Sequence, residues 1–259
     1  MHFNYFNRPL RWLLTCAALA AAVALLGPVR AAQEHTKKSP AEALEALEQE
    51  FNAAMQEFQK AYSQAKTDEE RQKVFAEKYP NPEKYTARFL KIAEASPKDP
   101  AALKALLWVV QRARNGNEAG KALDLLLTHY LESDKLGEVC YSLVYSGGEQ
   151  AEKALKTMVE KSPHRAVRGM ALFCRAMRRQ QESGGAEKLF DEVIEQYGDV
   201  KAGNRGTLGE SAGAYLFEAR NLVIGKTAPE IEGEDVEGKK FKLSEYRGKV
   251  VVLDFWGDW

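Results

Sequence analysis

Few side chains in this sequence could do chemistry, and its cysteines are the first candidates. There are three, Cys16, Cys140 and Cys174, and no two of them form a Cys-x-x-Cys motif. Neither Cys140 nor Cys174 has a vicinal partner that would make it a redox-active nucleophile. Cysteine and histidine do not occur at the spacing of a zinc site either, and we expect neither a metal nor a cofactor.

Cys140 and Cys174 lie at near-equivalent places in consecutive helical segments, and two interpretations of them stay open. In an oxidising compartment they form a disulfide if their Cα atoms come within about 4.4–6.8 Å. Otherwise they are buried thiols that pack as small hydrophobic side chains. The histidines are scattered, and we interpret His35, His129 and His164 as solvated or capping side chains.

The elements that position these residues are predicted to be helices. Residues 40–200 contain no segment with the two-residue alternation of a strand. Ser39, Pro40 and Glu42 form a capping box that opens a first helix. An apolar stripe then runs along that helix from Leu44 to Tyr62. Further helix starts are predicted at a second capping box, Thr67-Asp68-Glu69-Glu70, and at Asn81-Pro82, Asp99-Pro100 and Ser162-Pro163.

The helical region also repeats itself. Three similar segments, each following a glycine-containing turn, begin at Ala119, Ala151 and Ala186, 32 and 35 residues apart. Another apolar helix precedes each of them. A helix–turn–helix unit of about 34 residues is the period of tetratricopeptide repeats, which this region loosely resembles. We therefore predict stacked helix pairs with a continuous core.

Such an array has two alternative uses. It either offers a groove to a protein partner, or it is a packed spacer whose apolar residues, Trp108 among them, are core. The second use is the default for apolar helical stripes.

The last stretch, residues 225–259, has a different pattern. Val250-Val251-Val252-Leu253 is a β-branched run that is typical of a fully buried strand. A buried strand needs neighbours on both edges, so we expect the chain to stop within a domain. Because the other strands and covering helices are missing, we expect 225–259 to form at most a hairpin-like pair.

This stretch resembles the start of a thioredoxin-like domain of the redoxin type. That group includes the alkyl hydroperoxide reductase and thiol-specific antioxidant (AhpC/TSA) proteins and the exported thiol–disulfide oxidoreductases. The matching pieces, in order, are Gly225-Lys226-Thr227-Ala228-Pro229, Gly238, residues 241–249, the strand Val250–Phe255 and Trp256-Gly257-Asp258-Trp259. The predicted fold class is therefore mainly α, a helical-repeat array followed by the incomplete start of an α/β thioredoxin fold.

In that family a Cys-x-x-Cys motif or a single peroxidatic cysteine follows this strand, at a helix N-terminus that lowers the thiol pKa. The resemblance thus places the nucleophile just after Trp259, and no catalytic residue is expected within the chain. It matches Asp254 to a buried acid that accepts the proton of the second cysteine, and Trp256 and Trp259 to aromatics flanking the site. From the residues alone, Asp254 is a strand-end carboxylate held by loop amides, and the tryptophans pack over the sheet.

Three explanations compete for an end at this point. The sequence is a fragment, or a frameshift or early stop shortens it, or position 260 is a selenocysteine whose UGA codon was read as a stop. In its complete form the resemblance implies thiol–disulfide oxidoreductase or peroxidase activity, with protein thiols and disulfides or peroxide as partners. The alternative function is a scaffold in which the helical repeats bind a protein partner without catalysis.

Residues 1–31 are typical of a secretory signal peptide. Arg8 and Arg11 precede an apolar run, Trp12 to Leu26, and Val29-Arg30-Ala31 suits cleavage. The run of about 15 residues is shorter than the ~20 that a membrane-spanning helix needs, which favours cleavage over an anchor. We therefore expect export to the periplasm or cell envelope, with no stable membrane span after cleavage. The predicted organisation is a signal peptide (1–31), a flexible leader (32–38), a helical domain (39–223) and the redoxin start (224–259).

The charge balance argues against a nucleic-acid partner. The whole chain has 37 basic and 37 acidic residues. Residues 1–31 hold three arginines and no acid, so the remainder carries a net charge of −3. A protein that binds nucleic acid usually presents a basic face, which this composition does not favour.

Overall fold

The computed structural model describes residues 38–113, 117–146, 148–182, 185–203 and 206–257. The predicted signal peptide, the leader up to residue 37 and Trp259 lie outside these ranges. Residue contacts group Ser39–Trp259 into one compact unit, to which the helices and strands belong. Within the described ranges, no helix is both long and apolar enough to cross a membrane.

Helices dominate the described chain as far as Asn221, which confirms the predicted mainly α fold. In order they are α1 (Pro40–Gln64), α2 (Asp68–Lys78), α3 (Glu83–Ala95), α4 (Pro100–Arg112), α5 (Asn117–His129), α6 (Gly137–Val144), α7 (Glu149–Lys161), α8 (Arg165–Glu182), α9 (Glu187–Tyr197) and α10 (Leu208–Asn221). A 3₁₀ turn, Asp134–Leu136, leads into α6. After α10 come two short strands, β1 (Glu232–Glu234) and β2 (Lys240–Lys242), and a second 3₁₀ turn, Leu243–Tyr246.

Capping side chains set the helix starts largely as predicted. Ser39 accepts from the Glu42 amide at 3.2 Å, and the Glu42 carboxylate accepts from the Ser39 amide at 2.8 Å. The second predicted capping box is also present, at the start of α2. Two starts differ by one or two residues, since α3 begins after Pro82 and α8 begins after His164. In both cases the proline lies in the turn that leads into the helix.

The first helices pack around an aromatic centre. Leu44, Leu47 and Phe51 bury one face of the first half of α1. The Trp108 ring stacks on Phe89 at 3.9 Å between ring centroids and meets the edge of Phe51 at 5.2 Å. Trp108 is therefore a core residue, as its apolar helical context predicts. In the second half of the α1 stripe, Phe58 meets the ring of Phe75 in α2 and that of Tyr79 just after it, and both of these rings are exposed.

Successive helix pairs are joined by hydrogen bonds between positions about one repeat apart. The Tyr130 hydroxyl donates to the carbonyl oxygen of Asp99 at 2.8 Å. Nε2 of His164 lies 2.8 Å from the carbonyl oxygen of Glu132. These partners are 31 and 32 residues apart, close to the spacing found in the sequence. The stacking of consecutive helix pairs predicted from that spacing is confirmed.

Two glycines allow the last helices to approach one another closely. A Cβ atom added at Gly169, in α8, would lie 2.9 Å from Cβ of Tyr197 in α9. One added at Gly209, in α10, would lie 2.8 Å from the carbonyl oxygen of Gly198. Both distances are shorter than side-chain packing allows, so glycine sets the spacing of these helices.

Candidate functional site

The segment that carries the predicted site starts with a tight turn after α10. The Lys226 amide donates to the carbonyl oxygen of Val223 at 3.1 Å. Gly225 has a φ of 89°, a conformation that side chains other than glycine rarely adopt. Gly225 is the first residue of the redoxin-like sequence, and its place in this turn explains why a glycine is needed there.

A two-stranded antiparallel hairpin follows, as expected for this stretch. Glu232 lies opposite Lys242 in the register, and their side chains form an ion pair of 2.5 Å. The connecting turn is closed by Asp235, whose Oδ1 accepts from the amides of Glu237 and Lys239, each at 2.9 Å. Because every strand residue is exposed or half-buried, the hairpin depends on its own hydrogen bonds and turn chemistry.

The 3₁₀ turn after β2 is tied back to the residues before β1. The Leu243 amide donates to the carbonyl oxygen of Ile231 at 2.9 Å, and the Ser244 amide donates to Oε1 of Glu230 at 2.9 Å. Hydrogen bonding from Ser244 lowers the pKa of the Glu230 carboxyl. Glu230 thus links the residues before β1 to the 3₁₀ turn that precedes the apolar run.

The prediction of a buried strand at Val250–Phe255 is wrong. Residues 250–257 have no regular secondary structure and are exposed along their whole length. A strand is defined by a ladder of hydrogen bonds to a neighbour, and within the described ranges β1 and β2 pair with each other only. The apolar run therefore lacks the neighbours that would bury it.

The run nevertheless keeps the two-residue alternation of a strand. Val250 and Val252 are 99% and 88% exposed, whereas Val251 and Leu253 are 41% and 49% exposed. The two less exposed side chains line two cavities, of about 300 and 310 Å³. Leu243 and Tyr246 line both cavities as well. One face of the run is thus turned towards the 3₁₀ turn, and the opposite face towards solvent.

The residues predicted to surround the active site lie in or near this run. Asp254 is exposed, and the structure places it neither in a buried site nor in a strand. Trp256 is 85% exposed. Trp259 lies outside the described residues. The roles of Asp254, Trp256 and Trp259 at an active site remain predictions.

Cys140 and Cys174 lie in the helical array, away from any exposed surface. Both are completely buried, free thiols. The Cys140 thiol lies 3.5 Å from the carbonyl oxygen of Leu136 and 3.9 Å from Sδ of Met158. Burial raises the pKa of Cys140 to about 12, and burial together with the neighbouring Cys140 raises that of Cys174. Neither thiol can act as a nucleophile at neutral pH in the folded chain.

No group of three or more His, Cys, Asp or Glu side chains that could hold a metal ion occurs among the described residues.

Arg178 is a buried residue that sequence reasoning missed. Its Nη1 donates to the carbonyl oxygens of Leu143 at 2.7 Å and Ser146 at 2.6 Å, and its Nη2 donates to that of Gly148 at 3.2 Å. The guanidinium therefore satisfies carbonyls that the end of α6 leaves open. A cation is also favoured there by the helix dipole. Arg178 stands next to Arg179 near the polar end of α8, and nothing in the sequence there predicts these partners.

A groove opens beside the turn that Arg178 holds. Its volume is about 510 Å³, and it runs between the ends of α4 and α6. Val110, Ala113, Tyr141 and Tyr145 are among its lining residues, and none of the described side chains that line it carries a charge. Tyr145 is 73% exposed.

Comparison with models of protein families matches residues 224–259 to the AhpC/TSA family. Among curated proteins, the thiol-disulfide oxidoreductase ResA of Geobacillus thermodenitrificans is 43% identical over 45 residues, which are 17% of this chain and 26% of the relative. Proteins of the same name from Bacillus thuringiensis and Bacillus cereus are each 44% identical over 45 residues, with the same coverage. No solved structure matches the chain.

The predicted resemblance to thioredoxin-like redoxins is therefore confirmed for the C-terminal segment. It rests on residues 224–259, and the chain spans about a quarter of the length of the curated relatives it matches, 26%.

Proposed function

We propose that the complete protein is a thiol–disulfide oxidoreductase of the redoxin type, with protein thiols and disulfides as substrates. The observation that carries this proposal is the match of residues 224–259 to the AhpC/TSA family and to proteins named thiol-disulfide oxidoreductase. The geometry of the segment supports it. A glycine turn, a hairpin and a 3₁₀ turn precede the apolar run that leads to Asp254 and Trp256.

The nucleophile of this reaction is proposed to follow Trp259 directly. The two thiols within the helical array are buried and protonated at neutral pH, so they do not supply it. Reading the gene beyond codon 259 tests this placement. An in-frame cysteine codon, or a UGA followed by Gly-Pro-Cys or a similar motif, supports it. Any other stop codon without a continuing frame refutes it.

The activity itself is tested by insulin reduction with dithiothreitol as the electron donor. The natural full-length product is expected to accelerate insulin precipitation, and a serine at position 260 is expected to abolish the acceleration. Residues 1–259 alone are expected to give the background rate, which makes them the matched control. Reduction of hydrogen peroxide without reduction of insulin would assign the site to the peroxidase branch of the same family.

We also propose that the protein is exported to the periplasm or cell envelope. The signal-like sequence of residues 1–31 supports this, since a thiol–disulfide oxidoreductase finds protein disulfides mainly in oxidising compartments. Cell fractionation combined with N-terminal sequencing of the mature protein tests the proposal. A mature N-terminus near residue 32 in the envelope fraction is expected, and an intact Met1 in the cytosol would contradict it.

A second candidate function, a scaffold without catalysis, is favoured by the groove beside Tyr145, whose described lining side chains carry no charge. Concave surfaces of helical arrays bind extended polypeptide segments. A specific partner is expected to bind the chain and to bind the Tyr145→Ala variant at least tenfold more weakly. Equal binding to both proteins would exclude the groove as the docking site.

A further inference from the structure

The helices α6 and α8 belong to consecutive pairs of the array, and two sets of contacts define how they align. Before α6, the carbonyl oxygen of Glu132 lies 2.8 Å from Nε2 of His164, just ahead of α8. At the end of α6, the carbonyl oxygens of Leu143 and Val144 lie 2.7 and 3.4 Å from Nη1 of Arg178. The order of contacts is the same along both helices, so α6 and α8 pack side by side in the same direction.

Cys140 and Cys174 fall between these two sets of contacts. Cys140 lies four residues before Val144, and Cys174 lies four residues before Arg178. The two cysteines are therefore 34 residues apart, as are Val144 and Arg178, which are in contact. Four residues are about one helical turn, so Cys140 and Cys174 face each other one turn earlier along the same interface. Both side chains are completely buried. The raised pKa of Cys174, to which Cys140 contributes, agrees with this proximity.

We infer that Cys140 and Cys174 are a facing pair that closes into a disulfide when the chain folds in an oxidising environment. In this reaction two S–H bonds are replaced by one S–S bond. The two electrons and two protons reduce an external disulfide, of a protein or of glutathione, to two thiols. The bond joins α6 to α8 and so links two consecutive helix pairs of the array.

Burial decides when the pair can react. Exchange starts with a thiolate that attacks an external disulfide, and it needs access to solvent. In the reduced native state both thiols are buried, and the Cys140 thiol is directed at Sδ of Met158, 3.9 Å away. The disulfide therefore forms during folding, before the pair is covered. A chain that has folded in the reduced state keeps its dithiol.

The test uses the full chain with Cys16→Ser, so that only this pair can react. The protein is unfolded in urea with reductant and refolded either with a mixture of oxidised and reduced glutathione or with dithiothreitol alone. Free thiols are then counted by mass tagging under denaturing conditions. We expect no tag after oxidative refolding and two after reducing refolding, with the same far-ultraviolet circular dichroism spectrum. The oxidised form is expected to have the higher urea midpoint, because the cross-link restricts the unfolded chain.

Two controls keep the inference falsifiable. The Cys174→Ala variant in the same background is expected to keep one tag per chain under both conditions and to show no difference in urea midpoint between them. Addition of diamide to the natively folded reduced protein is expected to oxidise the pair at least tenfold more slowly than addition during refolding. Two tags on an oxidatively refolded chain with a native spectrum would overturn the inference. Glutathione adducts or disulfide-linked dimers in place of the internal bond would also overturn it.

Discussion

Nη1 of Arg178 donates to the carbonyl oxygen of Leu143 at 2.7 Å, across the interface of two consecutive helix pairs. The same guanidinium reaches the carbonyl oxygens of Ser146 and Gly148, so it ties the end of α6 to the start of α7. Arg178 itself is only 5% exposed. Its charge lies at the C-terminal end of α6, where the helix dipole favours a cation.

Replacing Arg178 by methionine is expected to lower the free energy of unfolding by about 2–4 kcal/mol. Methionine fills much of the same volume but leaves several carbonyl oxygens at the end of α6 without a donor. Urea denaturation followed by circular dichroism measures the loss. Arg179→Met is the matched control, because Arg179 is exposed, and a change within about 0.5 kcal/mol is expected for it. Equal losses for the two variants would show that the buried contacts of Arg178 do not stabilise the fold.

Gly169→Ala is expected to destabilise the protein by about 1–3 kcal/mol, although alanine is the better helix former. The added Cβ would lie 2.9 Å from Tyr197, so α8 and α9 must move apart. Gly213→Ala, in α10, serves as the control because no atom outside its own stretch of helix backbone lies within 4 Å of its added Cβ. It is expected to stabilise the protein by about 0.5–1 kcal/mol. Thermal unfolding of both variants checks the opposite signs, and a stabilised Gly169→Ala would contradict the close packing.

The helical architecture was predictable because its signals are local. Capping boxes at Ser39 and Thr67 and the recurrence of alanine after glycine turns set helix starts and repeat spacing, and neither depends on distant parts of the chain. Partners across the array could not be predicted in this way. Arg178 donates to carbonyl oxygens 30 to 35 residues earlier in the chain. The type of a residue does not show whether its carbonyl oxygen lacks a hydrogen-bond donor.

The apolar run at the candidate site shows a property that local sequence does not predict, its burial. Its β-branched residues predict alternating faces, and the exposures of Val251 and Val252 alternate in this way. Burial is not a local property, because it needs neighbouring strands, and the described residues supply none for this run. The resemblance to redoxins identified the segment because the order of its motifs is specific. The roles of Asp254 and Trp256 depend on which elements surround them, and the sequence alone does not give the positions of those elements.

Backbone amides of Val250–Phe255 are expected to exchange with deuterium within seconds at neutral pH. They lie in no helix or strand, and four of the six side chains are at least 49% exposed. Amides of α4, whose residues from Ala105 to Val110 are all buried, are expected to be slower by several orders of magnitude. Hydrogen exchange with mass spectrometry of the intact chain measures both segments at once. Equal protection of the two would show that the apolar run is packed.

Stability is expected to fall as the pH rises above about 9 when the chain is kept reduced. Burial raises the pKa of Cys140 from 9.0 to about 12, so between these values the unfolded chain releases a proton that the folded chain retains. The unfolded state then binds fewer protons, and the free energy of unfolding decreases by up to ~1.4 kcal/mol per pH unit for this group. Below pH 9 both states hold the proton, and the contribution is constant. Urea midpoints at pH 7, 9 and 10.5 measure the slope for the reduced chain and for Cys140→Ala, which is expected to lose the part due to this thiol. Parallel slopes for the two proteins would show that the Cys140 thiol ionises as easily in the folded chain as in the unfolded one.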